Sequence, residues 1–223
     1  MMAGTEYEDL PILSTAAPFK AGGRGGPEYY TDVAIGDVAI RNISDLYLYP
    51  NTARAVRVTG AQLKDWLERS TGTFNQVEAG VADQVLLNPD FPSYNFDIID
   101  GVEYQIDLSA PSRFDNDGNL LDADAHRIVN LTYDGAPIDM DQQFIVATNN
   151  CRAGGGGNFT GASPETTVFE GPDANWSFAP LPGTSVLFDT GPAAAVYADQ
   201  DEGVQMEAAG DGPDGFARFC IQL

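Results

Sequence analysis

Gln143-Phe-Ile-Val-Ala-Thr-Asn-Asn-Cys-Arg-Ala-Gly-Gly-Gly-Gly-Asn-Phe159 runs from an apolar strand-like stretch straight into four consecutive glycines. Residues 143–148 have the β-branched and aromatic content of a strand, and the glycines can only continue as a loop. Four glycines without Cβ atoms let backbone come close to a ligand. The spacing matches neither a dinucleotide-binding fingerprint nor a P-loop, because no Gly-Lys-Ser/Thr end follows.

Working towards the N-terminus, Arg127–Tyr133 reads as a strand closed by the Asp134-Gly135 turn. Tyr94–Ile99 and Val102–Leu108 read as two strands joined by Asp100-Gly101, a two-residue hairpin signal. Asp115-Asn-Asp-Gly118 superficially suggests a calcium loop. Its glycine comes too early and position 124 is Asp rather than Glu, so a hairpin turn is expected. The clearest helix begins at Thr59, with Gln62 three residues on as a capping box. Leu63, Trp66 and Leu67 fall on its inner face, while Lys64, Asp65, Glu68 and Arg69 are expected to look outward until the helix ends near Gly72. Ahead of it lie the strand Ala53–Thr59 and a short helix near Asn42 with Ile43 and Leu46 inward. Further back are the loop Ala21–Pro27 and an apolar strand within 10–19. Beyond the four glycines, Ser185–Asp189 and Phe216–Ile221 are expected as late strands, with 190–214 looped. With 24 Gly and 14 Pro in 223 residues, this is a strand-and-turn protein with a minority of helix.

A 43% hydrophobic composition is enough for a proper core. The net charge of -22 repels polyanions, so long nucleic acid is not an expected partner. No run approaches the ~20 apolar residues of a membrane span, so no membrane partner is expected either. Acidic residues crowd Glu6–Asp9, Asp115–Asp124 and Asp199–Glu207, as on a solvated surface. Cys151 and Cys220 are compatible with a disulfide or with two free thiols. Residues 1–9 are expected to be disordered or an added start.

Four motifs then occur in order: Pro18-Phe-Lys-Ala-Gly-Gly-Arg-Gly-Gly26, Asp45-Leu-Tyr-Leu-Tyr-Pro-Asn-Thr52, Pro92-Ser-Tyr-Asn-Phe-Asp-Ile-Ile-Asp-Gly-Val102 and Thr148–Phe159. This series resembles the C-terminal domain of the 5'-nucleotidase superfamily. The Lys-Ala-Gly-Gly-Arg-Gly-Gly and Tyr-Asn-Phe-Asp forms are similar to the periplasmic 2',3'-cyclic-nucleotide 2'-phosphodiesterase/3'-nucleotidase branch. The resemblance implies an α+β fold of mixed β-sheets with few flanking helices. It also implies one nucleotide-recognition domain over 10–223, with 173–223 as terminal strands and loops. In that superfamily the domain holds the nucleoside base between two aromatic rings, and a metallophosphoesterase domain with two divalent metal ions does the hydrolysis.

Carried over by position, Tyr49 is one stacking ring, Asn51 a polar contact beside it, and Arg24 the cation facing phosphate. Gly155 and Gly156 supply the close backbone approach. The second ring position is Cys151 here, and a thiol cannot form half of a ring sandwich, so weaker affinity is expected unless Phe159 or Tyr94 compensates. With His126 the single histidine, these residues are not expected to form the metal domain. The chain alone is therefore expected to bind a nucleotide or nucleoside without cofactor and without hydrolysing it. Its catalytic partner is a metallophosphoesterase domain, fused or separate, in an exported, periplasmic-type protein whose signal would lie upstream. The alternative is a non-catalytic nucleoside-binding or structural module that kept the fold.

Overall fold

The computed structural model describes residues 2–17, 29–30, 32–39, 41–42 and 51–171, and the backbone of short strands between 180 and 219. Arg24, Ile43, Leu46, Tyr49 and Cys220 lie outside the described residues.

The centre is the stretch that opened the sequence reading. Gln143–Asn149 forms β7, and every residue from Phe144 to Thr148 is buried. A strand covered on both faces needs such an uninterrupted apolar run. β7 sits in the middle of a five-stranded sheet ordered β3-β1-β7-β2-β8, where β1 is Ile12–Ala16, β2 Ala53–Thr59, β3 Ile98–Asp100 and β8 Thr167–Glu170. β1 runs parallel to β7, with Leu13 opposite Val146; β2 runs antiparallel, with Val56 opposite Val146. The sheet is mixed, as expected.

One face of the sheet carries α1, Gly60–Ser70. Its capping box is present in both directions: Thr59 Oγ1 accepts from the Gln62 amide, and the Gln62 side chain accepts from the Thr59 amide. Leu63, Trp66 and Leu67 then pack on Leu13, Val56, Val58, Phe144 and Val146. Each such side chain contributes about 1.5–3 kcal/mol on full burial. The opposite face is covered by the chain's beginning, where Met2 is buried against Ala55 and Ile145 with Tyr7 and Leu10 alongside. Residues 3–9 run in turns, with Met2 and Tyr7 packed inward and the others exposed.

Glu68 and Arg69 also depart from their expected outward placement, at 0% and 2% exposure. A second sheet lies against this side of α1. It is ordered β4-β5-β6, from Val102–Ile106, Ile128–Tyr133 and Ala136–Pro137. The Glu68 carboxylate accepts the backbone N–H groups of Arg127 and Ile128, at 2.9 and 3.0 Å, where β5 begins. Those two donors need a buried acceptor, which is why an acidic side chain points inward. Arg127 in turn donates to the carbonyls of Thr71, Phe74 and Ala110, closing the end of α1.

Asp134-Gly135 makes the expected tight hairpin, with both residues at positive φ between β5 and β6. Asp100-Gly101 does not. β3 pairs with β1, whereas β4 pairs with β5, so this dipeptide is a corner that carries the chain from one sheet to the other. A Cβ on Gly101 would lie 2.6 Å from Leu13 Cδ2, so glycine is required by the close approach as well as by φ +96. The expected strand from Tyr94 is also shortened: Ser93–Asn95 is a single 3-10 turn, and β3 starts only at Ile98.

Asp115–Gly118 is a turn, as its spacing predicts. The Asp115 carboxylate accepts from the amides of Asp117 and Asn119 and from the Asn119 side chain, which holds its pKa below the usual carboxylate value. Late in the chain, backbone strands occur at Thr184–Asp189 and Ala217–Phe219, near the expected places. The interval expected to be looped also contains strands, at Ala195–Asp199, Gly203–Gln205 and Ala208–Asp211.

Candidate functional site

The strand ends of β2 and β7 meet where the chain enters the four glycines. Ala53 is opposite Asn149 in the ladder. Asn149 caps a short helix, α2 (Asn150–Ala153), by accepting from the Arg152 amide at 2.8 Å. The next residue, Asn150, reaches back: its Oδ1 accepts the Thr52 amide at 2.7 Å, and its own amide donates to the Thr52 carbonyl at 3.0 Å. This double bond pair fixes the segment carrying Asn51 beside the turn carrying Cys151. Both motifs are therefore brought to one end of the sheet.

Cys151 is exposed and carries a free thiol. A Cβ on Gly156 would lie 2.7 Å from the Cys151 Sγ and carbonyl oxygen, so the loop folds back directly over that residue. Gly155 has φ +93 and open space where a side chain would be. Tyr94 is 50% exposed on the Ser93–Asn95 turn. Phe159 is placed differently from the expectation that it could serve as a clamp ring. It is 4% exposed, 5.5 Å from the Trp66 ring, with the Arg152 guanidinium 4.1 Å from its centroid. Its faces are occupied by the protein itself. Of the two rings expected to compensate for Cys151, the exposed one is Tyr94.

Arg152 is the residue whose role was not read from the sequence. Its Nη2 donates to Asp97 Oδ1 at 2.8 Å and to the Tyr94 carbonyl at 3.0 Å. Its Nη1 donates to Asn95 Oδ1 and to the Gly156 carbonyl. The other oxygen of Asp97 accepts from Trp66 Nε1 at 2.8 Å. Asp97 and Arg152 side chains are 3% and 10% exposed, so this is a buried ion pair with both terminal nitrogens of the guanidinium hydrogen-bonded. Burial pushes the nearby Tyr104 phenol above its ordinary pKa, and the Asp97 charge adds to the shift. A charge of each sign inside two separate motifs, among apolar neighbours, was the available signal.

Arg69 lies on the far side of the same core, 5.0 Å from the Phe91 ring centroid and 5.8 Å from that of Phe159. Its Nη2 donates to the Asn116 carbonyl, but Nε and Nη1 have no hydrogen-bond partner among the described residues. Burial lowers its pKa. Because Asp115, Asp117 and Asp97 act on its charge but none of the described carboxylates forms an ion pair with it, Arg69→Met should keep the ring contacts and stay within about 1 kcal/mol of wild-type stability in urea unfolding. A loss of several kcal/mol would show that the guanidinium is better satisfied than the structure describes.

Among the described residues, no group of three or more His, Cys, Asp or Glu is placed to hold a metal ion. No helix among them is long and apolar enough to cross a membrane. This end of the sheet presents the half-exposed Tyr94, the exposed Cys151 thiol and open space over the Gly155 backbone.

A family model described as the 5'-nucleotidase C-terminal domain matches residues 18–163. The chain belongs to that family. Members similar to it include the trifunctional nucleotide phosphoesterase protein YfkN of Bacillus subtilis, 47% identical over 91% of this chain and 15% of its own length. A 2',3'-cyclic-nucleotide 2'-phosphodiesterase/3'-nucleotidase of Haemophilus influenzae is 40% identical over 96% of this chain and 37% of its own. The present 5'-nucleotidase C-terminal domain thus spans well under half the length of these relatives. Among solved structures, a 5'-nucleotidase candidate from Staphylococcus aureus superimposes with a TM-score of 0.56 at 26% identity, over 74% of this chain and 28% of that one. The mixed-sheet architecture with few helices is that of this family.

Proposed function

We propose that this domain is the substrate-recognition part of a phosphoesterase like the 2',3'-cyclic-nucleotide 2'-phosphodiesterase/3'-nucleotidases. It holds the nucleoside and its phosphate while a metallophosphoesterase domain, fused or separate, supplies two divalent metal ions and the hydrolytic step. The observation that carries this reading is the convergence at one sheet end of Asn51, Tyr94, Cys151 and the glycine loop, joined through Asn150 and Arg152. The part this reading assigns to the chain is binding and orientation. In this reading Tyr49 stacks on the base, Asn51 contacts it, Arg24 faces the phosphate, and Gly155 and Gly156 let the ligand approach backbone. The parent protein is exported, in keeping with the family resemblance.

Titration with adenosine, 3'-AMP and 2',3'-cyclic AMP tests it. Binding of the phosphorylated compounds more tightly than adenosine supports the proposal. No binding of any of them at millimolar concentration rejects it.

The exposed thiol at position 151 favours a second reading, a nucleoside-binding or structural module that works without catalysis. A thiol cannot form half of a ring sandwich. Stacking of a base on an aromatic side chain is worth about 1–3 kcal/mol, so Cys151→Tyr should tighten adenosine binding several-fold or more by calorimetry. An unchanged dissociation constant would remove position 151 from the site.

A further inference from the structure

The four hydrogen-bond acceptors of the Arg152 guanidinium divide between two segments. Tyr94 O, Asn95 Oδ1 and Asp97 Oδ1 belong to the turn before β3, and Gly156 O belongs to the glycine loop. One face of the guanidinium is packed on Phe159, which closes that loop. The backbone of Arg152 is itself held by the Asn149 cap. Nothing in this arrangement leaves the two segments free to move separately. Space is also closed: a Cβ on Gly157 would fall on Arg152 Nη1 and lie 2.7 Å from Asn95 Oδ1.

We propose that Arg152 is a positioning residue that makes the Tyr94 turn and the glycine loop one rigid unit, holding the segment that carries the exposed Tyr94 against the glycine loop for ligand recognition. The recognition clause rests on the nucleotide reading above; the mechanical coupling does not. Planarity is the physical basis. A guanidinium places donors at both ends of a fork and can bond two segments at once, whereas a lysine ammonium is a point charge on a flexible stem. Lysine can keep the bond to Asp97 while losing the reach to Gly156.

The test compares wild type with Arg152→Lys by amide hydrogen exchange. The amides of Asn95 and Phe96 close the turn, and those of Gly155, Gly156 and Asn158 close the loop. In Arg152→Lys both sets should exchange at least about tenfold faster together, while β7 and α1 keep their protection. The Trp66 indole resonance should stay in place, reporting that Asp97 still accepts from it. Neither set changing, or only one, would overturn the coupling. Should the lysine variant fail to fold, Asn95→Ala removes one acceptor and spares the ion pair. A smaller but joint rise in both sets is then expected, and a rise confined to the turn overturns the proposal.

The same proteins are titrated with 3'-AMP. Affinity at least about tenfold weaker in Arg152→Lys supports the recognition role, and equal affinity removes it. A wild-type chain that binds no nucleotide overturns the nucleotide reading and the recognition clause together, while exchange still decides the coupling.

Discussion

Asp97→Ala should destabilise the domain by about 3–5 kcal/mol, the range for breaking a buried ion pair from one side. Two donors lose their acceptor at once. The Arg152 guanidinium, 2.8 Å from Asp97 Oδ1, becomes a buried cation without a counter-charge. The Trp66 indole N–H, 2.8 Å from the other oxygen, becomes a buried unsatisfied donor. Asp97→Asn should lose less, since the amide keeps its shape and one acceptor. Urea unfolding with an unchanged slope would measure both values. A loss under 1 kcal/mol for the alanine variant would mean that the pair is solvated or differently bonded. The same variant offers a spectroscopic check at Tyr104. Its phenol pKa is raised first by burial and then by the Asp97 charge, so removing the charge should lower it part of the way, and ultraviolet titration would read the change.

The second large effect separates two glycines that look alike in the sequence. Gly155 and Gly157 both have positive φ, +93 and +85. Left-handed backbone disfavours a residue with a Cβ by about 1–2 kcal/mol, so both alanine variants should lose that much. At Gly155 nothing lies within 4 Å of the added atom. At Gly157 it would collide with Arg152 Nη1, with Phe159 Cε2 at 2.6 Å and with Asn95 Oδ1 at 2.7 Å. All three belong to the buried network, and overpacking of this kind adds about 1–3 kcal/mol. Gly157→Ala should therefore be the less stable by that margin and should also weaken nucleotide binding more. Equal melting temperatures for the two variants would show that the loop has room the structure does not describe.

The parts that were legible in the sequence are those whose cause is local. Thr59 and Gln62 sit at a fixed spacing and form the capping box for that reason alone. β7 is apolar without interruption because both its faces are covered. Asp134-Gly135 closes a hairpin because the two strands that flank it, β5 and β6, are neighbours in the same sheet. Asp100-Gly101 has the same local chemistry, but β1 competes for β3, and that competition is set by residues more than 80 positions away. Glu68 and Arg69 were misplaced for a related reason. A helical wheel assigns charges to solvent, whereas here two β5 amides require the Glu68 carboxylate. Arg152 and Asp97 lie 55 residues apart, and their pairing depends on the whole sheet being assembled. Within the candidate site, motif order singled out Asn51, Tyr94 and Cys151 as candidates, but only packing shows that the Phe159 ring is already enclosed.

The position of β7 also governs the order in which the domain can be made. Its two neighbours begin at Ile12 and Ala53, yet neither has a centre to pair with until residues 143–149 have left the ribosome. Until then β1 can pair only with β3, and β2 lacks both of its sheet neighbours. Such long-range pairing folds slowly and leaves strand edges available to other chains. A ribosome stalled before Gln143 would hold a chain without its central strand, so this sheet assembles around β7 rather than strand by strand in chain order.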